Sequence, residues 1–261
     1  MPQAPPIRRA AQLGLDVELR AIRNGGWRFP SHWHHDLQVI ATVSGLGEAL
    51  VEGQAYALPE RSLIVIPPGA VHTAYATSPE GWSFHSLHAS PERLSAALPA
   101  SAILSGSAGS DVLVDLFGRV TDGLFQKAGT PVVRFEAFIN EIGLRVARDG
   151  RTQGPEPLLR ARAELGTRLN ATLSIAELAA RHGFSTGHFS RAFAAAFHMP
   201  PYAWRMNART EAAKRSLRAG ATVAEAARDA GFTNLSHFSR HYRNSTGVTA
   251  RAYAVQYKRT G

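Results

Sequence analysis

The sequence predicts an α+β protein: an N-terminal β-barrel, a helical segment behind it, and an all-α C-terminal domain holding two helix-turn-helix units. Three observations predict it. Short β-type runs cut by Pro and Gly fill the chain up to Ser90, helical periodicity takes over from Pro91, and one helical unit occurs twice after Leu158.

The β-type runs are Leu37–Val43, Gly47–Glu52, Ser62–Ile66 and Trp82–Leu87, a spacing that suits an antiparallel sandwich or barrel. Helical spacing is clearest in Asp111–Phe125, through Val112, Leu113, Leu116, Val120 and Leu124, and in Val132–Val146, through Phe135, Phe138, Ile139 and Ile142. Arg151 to Pro157 has one glycine, two prolines and no large apolar side chain, and reads as a linker. The expected organisation is therefore a barrel over 1–90, a helical segment over 91–150, a linker over 151–157 and a helical domain over 158–261.

The repeat carries the most information. Ser174-Ile-Ala-Glu177 through Gly183-Phe184-Ser185 aligns with Thr222-Val-Ala-Glu225 through Gly231-Phe232-Thr233, and His188-Phe189-Ser190-Arg191-Ala-Phe193 aligns with His237-Phe238-Ser239-Arg240-His-Tyr242 after one inserted residue. In each copy a Ser or Thr can cap a helix whose third residue, Glu177 or Glu225, closes a capping box. Gly183 or Gly231 can end that helix in a left-handed conformation, Phe184 or Phe232 can plug the core, and Ser185 or Thr233 can cap the next helix. Phe189 and Phe193, or Phe238 and Tyr242, lie four apart on one helical face, which turns Arg191 and Arg240 toward other faces.

Charge says what such a unit could meet. Residues 158–261 carry sixteen Lys and Arg against five Asp and Glu, whereas residues 1–157 carry thirteen against fifteen. A repeated helical hairpin with an arginine at the same place in both copies, in a strongly basic domain, reads as a double-stranded DNA binder rather than a packing scaffold. The chain has no cysteine, which excludes disulfides, thiolate zinc sites and a cysteine nucleophile or alkyl acceptor, and suits a reducing, cytoplasmic setting. No apolar run approaches membrane-spanning length, so no membrane partner is expected.

Residues 158–257 resemble, nearly end to end, the paired helix-turn-helix domain of the AraC/XylS transcription regulators, through the Gly-Phe turns, the two His-Phe-Ser-Arg segments and Arg209 to Leu217 of a connecting helix. That resemblance implies recognition helices near Thr186–Ala196 and Asn234–Ser245 that enter major-groove segments about one helical turn apart. It places DNA contacts at Gly187, His188, Ser190 and Arg191 in the first copy, and at Leu235, Ser236, His237, Ser239 and Arg240 in the second. It also implies a homodimer formed through the helical segment, with RNA polymerase as a further partner. Two turn positions depart from the pattern: His198 stands where the family has glycine and Ala250 where it has proline.

Residues 26–72 resemble a cupin barrel. Gly26, His32, His34, Gln38 and Gly45 follow the first cupin motif with Gln in place of Glu, and Pro67-Pro68-Gly69-Ala70-Val71-His72 follows part of the second, although Arg61 stands where glycine is usual. His32 and His34, two apart on one strand, would share a face that His72 meets across the barrel. His32, His34, Gln38 and His72 are thus the expected effector site. The three histidines could hold zinc, nickel or iron, with Gln38 as a weak fourth ligand, or they could hydrogen-bond within a metal-free pocket. Trp27, Trp33, Trp82 and Phe84 could line an apolar pocket or be plain core.

The chain thus reads as a regulator that binds DNA and responds to a small-molecule or metal effector, and not as an enzyme. A cupin enzyme would need a firmly held metal, against which Gln38 in place of Glu speaks, and an RNA-binding module would not need paired capped hairpins.

Overall fold

The computed structural model describes residues 7–9, 17–24, 28–90, 102–104, 114–119, 138, 155–169 and 173–258. By its internal contacts the chain divides into one unit made of Met1–Phe29 with Trp33–Gly150, and a second made of Arg151–Gly261 with Pro30–His32.

Among its described residues the first unit has nine strands: β1 Ile7–Arg9, β2 Val17–Asn24, β3 Leu37–Gly45, β4 Gly47–Val51, β5 Gln54–Leu58, β6 Leu63–Ile66, β7 His72–Ala76, β8 Trp82–Ala89 and β9 Ala102–Leu104. They form a six-stranded antiparallel sheet in the order β1-β2-β8-β3-β6-β9 and a three-stranded sheet in the order β5-β4-β7. The two sheets are the halves of a cupin-like barrel. Alternation along the strands sends Ile40, Ile64, Ile66, Trp82 and Phe84 of the larger sheet, with Ala49, Val51 and Ala74 of the smaller, into one buried cluster. Gly47 is required in that core: a Cβ there would fall 2.4 Å from the indole of Trp82. On the opposite face of the larger sheet Leu37, Val39, Leu63, Val65 and Leu87 are also fully buried, so this sheet is apolar on both sides.

The strands expected over 37–43, 47–52, 62–66 and 82–87 all form, to within two residues at each end. β2 was not legible because Arg20 and Arg23 interrupt its pattern, and β5 was not because it is a largely exposed edge strand. The region expected to be wholly helical after Pro91 contributes a strand, β9, whose Ala-Ile-Leu run extends the edge of the sheet beside β6. Of the Asp111–Phe125 helix, residues 114–119 are described and helical, with Phe117 buried and its ring 5.4 Å from that of Phe138. Val112, Leu113, Val120, Leu124 and, save Phe138, the whole Val132–Val146 stretch lie outside the described residues, as does Trp27.

The second unit contains α1 Glu156–Thr167, α2 Ile175–Arg181, α3 Thr186–Phe197, α4 Pro201–Arg218, α5 Val223–Asp229, α6 Leu235–Thr246 and α7 Ala250–Lys258. α1 starts inside the stretch read as a linker, because Pro155 as N-cap and Pro157 in the first turn favour helix initiation rather than a break. α4 joins the two halves of the domain, burying Trp204, Met206, Ala208, Ala213 and Leu217. Arg209 on α4 donates twice to the Leu169 carbonyl, at 2.8 and 3.1 Å, and stands over the Phe232 ring, so one side chain ties the first half to the second.

Candidate functional site

The two helix-turn-helix units form as their sequences dictate. Ser174 and Thr222 cap α2 and α5, each accepting from the backbone N–H of Glu177 or Glu225, whose carboxylate accepts in return from the cap backbone. These bonds from Ser174 hold the Glu177 carboxyl below its ordinary pKa. Gly183 and Gly231 take φ of +79° and +82°, conformations a side chain would strain, and the chain turns there into α3 and α6. Ser185 caps α3, but the cap of α6 is Asn234, not Thr233: the inserted residue moves the cap by one, and the Asn234 amide oxygen accepts from His237 N–H at 2.9 Å.

On α3 the buried face is Phe189, Phe193 and Phe197; on α6 it is Phe238 and Tyr242. Gly187, His188 and Arg191 are exposed on α3, as are Leu235, Ser236, His237, Ser239 and Arg240 on α6. Ser190 differs from its counterpart Ser239: it is half-buried, and its hydroxyl donates to the Thr186 carbonyl at 2.9 Å. A Cβ on Gly187 would lie 3.5 Å from the Arg191 guanidinium, an ordinary van der Waals contact, so the arginine lies along the helix next to Gly187. His198 takes φ of +53° where the chain leaves α3, which explains why glycine suits that position. Behind the second unit, His241 is held below the ordinary imidazole pKa mainly by burial, and by nearby His237, against a backbone hydrogen bond with Met206.

The second constellation centres on His34 and His72, both buried in the first unit. His32 and His34 are not on a strand: they lie in the segment before β3, where Asp36 and a turn intervene. They converge on His72 nevertheless, and one ring nitrogen from each of the three lies within 4.8 Å of the others. Each Nδ1 sits 2.8 to 2.9 Å from a backbone carbonyl two residues away: Pro30 for His32, Asp36 for His34 and Ala70 for His72. A carbonyl only accepts, so each ring presents a protonated Nδ1 to its carbonyl and turns Nε2 the other way. Gly69 N–H donates to the His34 carbonyl at 2.8 Å, pinning the Pro-Gly turn that precedes His72 to the segment carrying His34.

Gln38 joins this cluster as expected, its Oε1 3.0 Å from His34 Nε2 and its Nε2 donating to Ser86 Oγ at 2.8 Å. Sequence reasoning missed His88. It is buried, its Nε2 lies 3.1 Å from Ser86 Oγ, and its ring centroid is 4.9 Å from that of His34. The signal was the alternation Phe84, Ser86, His88 on one strand face, opposite Gln38 in the β3–β8 register. Trp82 and Phe84 are core, stacked at 4.0 Å, with Trp82 donating to Thr42; Trp33 is buried beside His35.

A cupin-like barrel with a buried imidazole cluster and a domain of two capped helix-turn-helix units define a class: DNA-binding regulators with a ligand-binding N-terminal domain. Comparison with known families agrees. The family described as AraC-like ligand binding domain matches residues 14–138, and the one described as helix-turn-helix domain matches residues 178–256, between them most of the chain. The chain belongs to the AraC family of DNA-binding transcription regulators. Among curated proteins none matches it. Among solved structures, ToxT from Vibrio cholerae is similar at 11% identity and a TM-score of 0.55, over 92% of this chain and 98% of that one. ToxT bound to an unsaturated fatty acid is similar at 10% identity and a TM-score of 0.54, over 98% of each chain. The DNA-binding domain of AdpA in complex with a target DNA shares 27% identity over 40% of this chain and 96% of that one, with a TM-score of 0.39. Among the described residues no helix is long and apolar enough to cross a membrane.

Proposed function

We propose that this regulator reads its operator as a homodimer with α3 and α6 in successive major-groove segments, and that an effector bound inside the barrel controls it. The contacts are Gly187, His188, Ser190 and Arg191 on the first helix and Leu235, Ser236, His237, Ser239 and Arg240 on the second. The protein is cytoplasmic and has no catalytic activity; it acts on RNA polymerase through DNA. Dimerisation runs through the 111–125 region.

The effector site is the cluster of His32, His34, Gln38, His72 and, beyond the expected set, His88. One observation carries this reading: imidazoles and an amide converge at the otherwise apolar end of a barrel, an arrangement that costs stability unless it serves a ligand or a network. ToxT crystals with a fatty acid, and with a methylnaphthalenyl butenoic acid, make a small organic effector the first candidate. A divalent transition metal, zinc, nickel or iron, is the second, because Nδ1 of each of the three rings faces a backbone carbonyl, as in metal-ligating histidines. Elemental analysis of protein purified without chelators, with footprinting on retained genomic fragments, tests both. Stoichiometric metal supports the second candidate, metal-free protein supports the first, and failure to retain duplex DNA overturns the whole reading.

A further inference from the structure

The outer side of the six-stranded sheet carries a cleft of about 620 Å³, closed on its far side by the 114–119 helix. Two backbone irregularities meet there. The β3–β8 register shifts between Thr42 and Ser44, and this bulge leaves Val43 about half exposed in the cleft wall. Arg61 takes φ of +61°, in the left-handed region that glycine adopts without strain. Strain of this kind is kept where the side chain earns its place. Here the side chain reaches the helix: Arg61 Nη2 lies 3.2 Å from Asp115 Oδ1.

That pair is easily exchanged. Its side chains are 55% and 57% exposed, so solvent screens the attraction and little holds Asp115 in place. The planar guanidinium matches any carboxylate whose apolar body can lie beside Val43, the exposed apolar side chain of the wall. Arg61 and Arg119 are balanced by Glu60 and Asp115 around the cleft, so a second negative charge on the ligand would meet two carboxylates. We infer that this cleft binds a small monocarboxylate with an apolar body, which replaces Asp115 on Arg61. The site is separate from the imidazole cluster, which faces the barrel interior, and it does not depend on what that cluster holds.

The test uses the full-length protein with benzoate as probe and benzamide as its neutral counterpart, each titrated by saturation-transfer NMR. Benzoate should bind, and benzamide about ten-fold more weakly or not at all. Arg61→Gly should lower benzoate affinity about ten-fold without lowering the melting temperature, since glycine relieves the strained backbone. Asp115→Asn should tighten binding several-fold by removing the competing carboxylate. The inference is overturned if the parent does not bind benzoate, if benzamide binds equally well, or if Arg61→Gly keeps parental affinity.

Discussion

Gln38 Oε1 lies 3.0 Å from His34 Nε2, while Nδ1 of the same ring faces the Asp36 carbonyl at 2.8 Å, so both ring nitrogens of His34 look onto oxygen acceptors. An oxygen acceptor meets a ring nitrogen through a proton on that nitrogen; a carboxylate at position 38 would hold that proton more firmly or, once the proton leaves, share a cation with His34. Gln38→Glu should therefore raise zinc affinity by about ten-fold or more, because a charged oxygen then stands beside the three imidazoles. Competition against a fluorescent chelator measures this, and unchanged affinity would show that Gln38 does not border the metal position.

The two arginines of the repeat stand at equivalent, exposed places on α3 and α6. Arg191→Ala and Arg240→Ala should each weaken operator binding by about 1–3 kcal/mol and relax preference at few positions. The affected positions should map about one helical turn apart. Footprints identical to the parent at matched salt would remove α3 and α6 as readers.

How much of this was legible depended on range along the chain. The capping boxes, the Gly183 and Gly231 turns and the buried Phe189 and Phe238 follow from residues three to five apart, so the helix-turn-helix units could be read directly. The cap of α6 moved to Asn234 because one inserted residue shifted a local pattern. The barrel is built by long-range pairing, and its less regular strands, β2, β5 and β9, left little local signal. His88 was missed for the same reason: it joins the site only through the register that sets it opposite Gln38. His32 and His34 were correctly grouped with His72, but through a turn segment pinned by Gly69 rather than through a shared strand face.

His198 holds a left-handed conformation at the end of α3 that an imidazole gains nothing from. His198→Gly should stabilise the protein by about 0.5–1 kcal/mol, the relieved strain being partly offset by the greater freedom of glycine in the unfolded chain. Urea unfolding checks it, and a lower midpoint would mean that the His198 side chain makes a contact worth more than the strain.

His241 supplies the expected pH dependence. Its pKa is depressed mainly by burial, so the unfolded chain takes up a proton at a pH where the folded chain does not. Its contribution to stability is complete above the ordinary imidazole range, about 6.5, and is lost as the pH falls below it. The melting temperature should decline through that window, and His241→Gln should flatten the decline. An unchanged slope in the variant would place the proton uptake on another group.

The barrel and the DNA-binding units can be separated by mutation. His34 and His72 touch each other, ring centroids 4.8 Å apart, and both are buried within the barrel. Replacing both by alanine removes the ring that His88 faces, while the caps, turns and exposed arginines of α2 to α6 belong to a different unit of the chain. The double variant should keep operator affinity close to that of the parent and lose effector-dependent transcription, because recognition depends on α3 and α6 and the response on the barrel. Melting curves must first show that the barrel still folds; a conservative pair, His34→Gln with His72→Gln, keeps polar groups in place if alanine proves too disruptive. A folded double variant that still responds fully to its inducer would move the sensory site out of the imidazole cluster and leave the Arg61 cleft as the place to look.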